Sequence, residues 1–359
     1  MAEFGSREPL FASPLVGEVG SHRRCEPGFR LIDRPYPLAP TLSHKGGRER
    51  TAVVAAASKR MNQTLTMRHL CLVCLAFAVS VAPLRAEDRR QAPLKVVASF
   101  SILGDFVKNV GGERVDVTTL VGPDGDVHVY APAPADARKI ADAKLLVING
   151  LGLEGWLPRL LQASGGKAPI VTATNGIAPL RLGSDADPHA WQSVANAKKY
   201  VANIRDALAA VDPADAEAFR RNAEAYLAKL DALEREARDA IRQIPESRRK
   251  VISTHDAFGY FALAYGIHFI APLGVSTESD ASARDIASII AQIKAERIPA
   301  VFLEKMIDPR LMRRISAETG AKVGGTLYSD SLTDEKGDAP TYIDMVWHNI
   351  KALTSALAN

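Results

Sequence analysis

Lys95-Val-Val-Ala-Ser-Phe-Ser-Ile-Leu-Gly-Asp-Phe106 recurs 155 residues later as Lys250-Val-Ile-Ser-Thr-His-Asp-Ala-Phe-Gly-Tyr-Phe261. Lys, Val, Gly and Phe are identical in the two copies, and most other pairs are similar in kind. The same offset sets Leu145-Leu-Val-Ile148 against Ala300-Val-Phe-Leu303, and Asn175 against Asp330. Agreement of a strand, a helix and the next strand at one offset argues for duplicated halves.

Each half alternates short apolar strands with helices. In the first, Lys95–Phe100 reads as a buried strand, Ile102–Val110 as a helix, Val115–Val121 as a second strand, Ala133–Asp142 as a helix and Lys144–Ile148 as a third strand. Such alternation implies a parallel sheet covered on both faces. The expected fold is therefore α/β, two similar lobes at 93–211 and 249–359, joined by one long helix within 212–245. Asp212-Pro213 opens that helix, and Ala214 to Ile244 runs without Gly or Pro until Pro245. Phe219, Ala223, Tyr226, Leu230, Leu233, Ala237 and Ile241 recur at three- and four-residue steps and give it one apolar face.

The first 86 residues differ from the rest. Arg68 and His69 precede the apolar run Leu70–Val81, then Ala82-Pro-Leu-Arg-Ala86 and the acidic Glu87-Asp88. A basic start, a short apolar stretch and a small residue at its end describe a secretory signal peptide at 67–86. Residues 1–66 carry no helical or strand period and read as an unstructured leader or a start placed too far upstream. A lipid anchor is not expected, because Val73 precedes Cys74 where a small residue is wanted. The product is then periplasmic.

Composition sharpens this reading. The whole chain has 45 Lys and Arg against 41 Asp and Glu, but residues 1–86 hold 12 of the former and 6 of the latter. That leaves 33 against 35, so the basic excess that would suggest nucleic acid belongs to the leader. Cys25, Cys71 and Cys74 all lie in the same stretch. The remainder offers no thiol and no disulfide, only histidine and carboxylate for soft or borderline metals.

Five histidines remain: His128, His189, His255, His268 and His348. His128 lies in Asp126-Val-His-Val-Tyr130 after a strand and a Gly-Pro-Asp-Gly turn. His189 lies in Asp187-Pro-His-Ala-Trp191 ahead of the helix expected from Gln192. His255 ends the strand Val251–Ser253, and Asp330 follows the strand that begins near Val323. All four positions are at strand ends or in adjoining loops, where open α/β sheets bind ligands. His268 and His348 are assigned to structure. Three imidazoles and a carboxylate satisfy tetrahedral zinc, yet no H-E-x-x-H or paired-cysteine signature is present. A surface or hydrogen-bonded structural role for each histidine stays open on spacing alone. So does a zinc hydrolase with Asp256 or Glu278 as general base, and so does a metal-binding adhesin.

Taken together, Asp126-Val-His128, Asn149-Gly-Leu-Gly-Leu-Glu154, Asp187-Pro-His189-Ala-Trp191, His255-Asp-Ala-Phe-Gly-Tyr-Phe261 and Tyr328-Ser-Asp330 resemble the periplasmic zinc- and manganese-binding proteins of bacterial ABC importers. The motifs stand in the family's order from about Leu94 to the end. The resemblance implies a non-enzymatic monomer holding one metal ion between two lobes, with His128, His189, His255 and Asp330 as ligands. It implies delivery to a membrane permease, with a periplasmic metallochaperone as a further partner. In that family the third ligand is typically His in zinc binders and Glu in manganese binders, so His255 favours Zn(II), with Mn(II) as the alternative. Asp126, Asp256 and Glu304 are the candidates for fixing the imidazoles. Two departures stand out: Val127 replaces the usual Pro, and the acidic, His-rich loop of many zinc binders is missing before Asp187.

Overall fold

The computed structural model describes residues 92–182 and 185–358. The expected leader and signal peptide lie outside the described residues. The first lobe contains β1 (Leu94–Phe100), α1 (Ser101–Gly111), β2 (Val115–Val121), α2 (Pro134–Asp142), β3 (Leu145–Ile148), α3 (Leu157–Ser164) and β4 (Ile170–Thr172). A short antiparallel hairpin follows, β5 (Arg181–Leu182) with β6 (Asp185–Ala186), and then α4 (Val194–Val211). After α5 (Ala216–Arg242), the second lobe contains β7 (Lys250–Ile252), α6 (Gly259–Tyr265), β8 (His268–Ile270), α7 (Ala283–Glu296), β9 (Ala300–Glu304), α8 (Arg310–Thr319), β10 (Lys322–Leu327) and α9 (Tyr342–Leu357).

Both four-stranded sheets are parallel, with orders β2-β1-β3-β4 and β10-β9-β7-β8. Numbered within its own lobe, each sheet has the order second, first, third, fourth, so the sequence repeat is also a repeat of topology. The register sets Val96 beside Val117 in the first sheet and Val251 beside Phe269 in the second. Apolar strand residues pack against helices on both faces, which is why the strands read as nearly continuous apolar runs.

The apolar face of α5 is buried along its whole length: Phe219, Ala223, Tyr226, Leu230, Leu233, Ala237 and Ile241. Each large side chain there contributes about 1.5–3 kcal/mol by leaving water. The helix is shorter than its sequence pattern suggests. Asp212 still caps α4, its N–H bonding to Leu208 O at 2.9 Å, and Pro213 sits in a turn closed by Asp215 N–H to Asp212 O. At the other end Gln243 and Ile244 tighten into three-residue turns ahead of Pro245.

One continuous apolar core runs from the first sheet through α4 and α5 to α9 and the second sheet. Phe106 anchors it, with ring centroids 4.8 Å from Tyr342, 5.8 Å from Tyr200 and 6.3 Å from Tyr226. Polar ties cross at the same level. Tyr342 N–H donates to Asp105 Oδ2, Tyr342 OH to Trp191 O, and Trp191 Nε1 to Ser329 O. A shared core of this kind resists wide hinge opening, because separating the lobes would expose it. The C-terminal strand ends of both sheets converge on one cleft.

Candidate metal centre

Two of the four expected residues are held by the same local device. Asp126 Oδ1 accepts the His128 N–H at 2.9 Å, and Asp187 Oδ1 accepts the His189 N–H at 2.9 Å. Each Asp-X-His segment is thus an Asx-type turn, a role suited to the short Asp side chain. The turns differ beyond that point. Asp187 Oδ1 also lies 2.8 Å from His189 Nδ1, whereas Asp126 Oδ2 accepts from Thr277 Oγ1 at 2.6 Å.

His255 follows β7 and is gripped by Glu304 at the end of β9. Glu304 Oε1 accepts from the backbone N–H of Thr254 and of His255 at 2.8 and 2.9 Å. Its Oε2 lies 2.6 Å from His255 Nδ1 and accepts from Ser329 Oγ at 2.7 Å. A carboxylate on Nδ1 leaves Nε2 as the ring's free donor atom, the usual arrangement behind a metal-bound histidine. Among the residues expected to fix the imidazoles, Glu304 contacts a ring and Asp126 contacts the His128 backbone. Asp256 forms no hydrogen bond to an imidazole; its N–H goes to Gly274 O. Asp187 was not among those candidates, although it stands two residues before His189 as Asp126 stands before His128. That shared spacing was the available signal.

The free ring nitrogens converge. His128 Nε2 is 3.2 Å from His189 Nε2, and Asp330 Oδ2 is 3.2 Å from His128 Nε2 and 3.1 Å from His255 Nε2. Asp330 Oδ1 is 3.5 Å from His189 Nε2. One donor atom from each of the four residues lies within 4.8 Å of all the others. Donors bound to zinc at 2.0–2.2 Å in a tetrahedron are about 3.3–3.6 Å apart, so these spacings suit a cation at the centre. His189, His255 and Asp330 are fully buried, and only the His128 side chain is slightly exposed, at 5%. Both Asp330 oxygens and His255 Nε2 lack a hydrogen-bond partner. Buried polar atoms left unpaired in this way cost free energy unless an ion satisfies them.

The members of the cluster also shift one another's charge. Burial pushes the Asp330 carboxyl upward, but the electrostatic pull of His255 and His189 beside it outweighs this and holds it well below the usual carboxylate range. Burial pushes His255 toward neutrality, while the charges of Glu304 and Asp330 outweigh burial and raise its pKa well above the ordinary value. Of the two other histidines, His348 donates its Nε2–H to Thr326 O at 3.0 Å and packs edge-on to Tyr328, a structural role. His268 is exposed at the start of β8.

The profile of the ZnuA family, zinc-uptake complex component A, periplasmic, matches residues 96–356. The chain belongs to this family. It is 36% identical over 296 residues to the manganese-binding lipoprotein MntA of Halalkalibacterium halodurans, covering 80% of this chain and 99% of that protein. It is 37% identical over 297 residues to the iron-binding protein YfeA of Yersinia pestis, covering 80% of this chain and 95% of that protein. Among solved structures, the periplasmic zinc-binding protein TroA of Treponema pallidum matches with a TM-score of 0.72 at 32% identity, over 74% of this chain and all of that one. A manganese-bound periplasmic metal-binding protein of Candidatus Liberibacter asiaticus matches with a TM-score of 0.69 at 32% identity, over 74% and 99%.

This family member is a metal-binding solute-binding protein of an ABC importer and not an enzyme. It acts outside the cytoplasm, and its partner is a membrane permease. Among the described residues no helix is long and apolar enough to cross a membrane. Several relatives are named as lipoproteins, which stands against the expectation of a chain without a lipid anchor.

Proposed function

We propose that this protein captures Zn(II) on His128, His189, His255 and Asp330 and hands it to the permease of an ABC importer. The observation that carries the reading is the meeting of three imidazole nitrogens and one buried, unpartnered carboxylate within 4.8 Å. A nitrogen-rich set of this kind suits zinc better than the harder manganese ion. Manganese is the second reading. It is supported by relatives named for that metal and by the two free oxygens of Asp330, which can add a fifth donor for an ion that prefers higher coordination.

Relative affinity alone does not separate the two, because almost any N/O site binds zinc more tightly than manganese. Uptake does. Cells lacking the protein are expected to lose zinc accumulation at limiting zinc while manganese accumulation is unchanged. Loss of manganese uptake with zinc uptake intact overturns the zinc reading. In vitro, His255→Glu adds a carboxylate and removes an imidazole, and is expected to narrow the preference for zinc over manganese by roughly tenfold. Competition titration against a chromophoric chelator measures it. The exported chain is read as starting at Glu87 without an anchor; the relatives named as lipoproteins favour a lipidated form, and an intact mass separates the two.

A further inference from the structure

His128 is the one member of the cluster that faces outward, into a cleft of about 520 Å³ lined on one side by Leu151, Asp185 and Pro188 and on the other by Val275, Ser276 and Glu278. The segment bearing the last three residues is rooted beside His255. Leu273 bridges His255 as a parallel strand partner, Leu273 N–H donates to Thr254 O at 3.2 Å, and Asp256 N–H donates to Gly274 O at 3.1 Å. From that root the chain crosses the mouth of the cleft. At its tip Thr277 Oγ1 donates to Asp126 Oδ2 at 2.6 Å, while the other oxygen of Asp126 accepts the His128 N–H. An unbroken series of bonds thus links the backbone at His255 in one lobe to the backbone at His128 in the other, beside the cleft that His128 lines.

We propose that Thr277 is a latch that sets the rate of metal release. This rests on the ligand set proposed above. The common core and the ties through Tyr342 and Trp191 oppose a wide swing of the lobes, so the small displacement of the 275–278 segment is the easier way to uncover His128. Cutting the latch leaves the Asp126–His128 turn intact. It also leaves the neighbouring tie, in which Asp124 N–H donates to Leu332 O at 2.8 Å. Thr277 is therefore a positioning residue that touches no metal. It acts through the carboxylate that holds the outermost ligand.

The test uses the full chain loaded with zinc alone and compares wild type, Thr277→Val and Thr277→Ser. Val keeps the shape and removes the hydroxyl; Ser restores it. Stopped-flow transfer of zinc to an excess of chelator is expected to be about tenfold faster from Thr277→Val, the loss of one hydrogen bond to a charged group. Association is expected to speed by a similar factor, since entry and release share the cleft, so affinity stays within about twofold, with wild-type kinetics in Thr277→Ser. A dissociation rate for Thr277→Val equal to that of wild type overturns the latch, as does a Thr277→Ser variant that releases zinc as fast as Thr277→Val. Failure of the ligand set shows differently, as wild-type protein that binds no stoichiometric zinc or a His255→Ala variant that retains it, and removes the latch with it.

Discussion

Asp330→Ala is expected to lower zinc affinity by roughly 10² to 10³, the share of one ligand when about 10–16 kcal/mol is divided among four. Asp330 is the only one of the four residues that is anionic when bound, and its oxygens stand between all three imidazoles. Its removal also takes from His255 one of the two carboxylates beside its ring, leaving Glu304. Alanine at Asp330 should therefore weaken the metal-free protein as well, visible as a lower melting midpoint. Glu304→Gln is expected to be milder, about 10- to 100-fold in affinity, since it disturbs the orientation of His255 and not the ligand count. Isothermal titration or chelator competition measures both. An Asp330→Ala protein that binds zinc as tightly as wild type removes the carboxylate from the site.

Acidification is the second large effect. His255 carries its proton in the metal-free protein because Glu304 and Asp330 raise its pKa well above the ordinary value despite burial. A cation must displace that proton. Each pH unit below the raised pKa therefore weakens binding about tenfold through His255.

The fold responds in the opposite sense. A group with a raised folded pKa contributes stability that is fully present below its unfolded value of about 6.5 and is lost as pH rises through the folded value. Asp330, whose pKa is lowered, contributes stability above its unfolded value of about 3.9 and loses it as pH falls through the folded value. Mild acid thus releases metal from a chain that stays folded. Calorimetry at about pH 6.5, the ordinary imidazole value, in buffers of different ionisation enthalpy is expected to report about one proton released per zinc from His255. Binding with no proton release contradicts the proton-for-metal exchange.

These predictions depend on features that differ in how far the sequence reveals them. The repeat at 155 residues foretold two sheets of one topology because buried parallel strands leave an unmistakable apolar run. The face of α5 was legible residue by residue, since a helix packed along its whole length must repeat its apolar positions at three and four. The four cluster residues were legible as loop residues at strand ends, and their meeting follows from two sheets directing those ends into one cleft.

Orientation was not legible. Asp256 adjoins His255 in the chain yet makes no bond to a ring, because its neighbour's imidazole points into the cluster while its own backbone binds Gly274. Glu304, 49 residues from His255, reaches it because β9 lies beside β7 in the second sheet. Thr277 sits in a segment with no period, and its partner lies 151 residues away. Such contacts are products of tertiary closure, and no local pattern encodes them.

Anomalous diffraction at the zinc absorption edge from crystals of the zinc-loaded chain locates the cation relative to the four residues of the two lobes. A single strong peak is expected at about 2.0–2.2 Å from Nε2 of His128, His189 and His255 and from an oxygen of Asp330. A peak held by exposed carboxylates such as Glu278, with His255 and Asp330 left unbound, would contradict that placement.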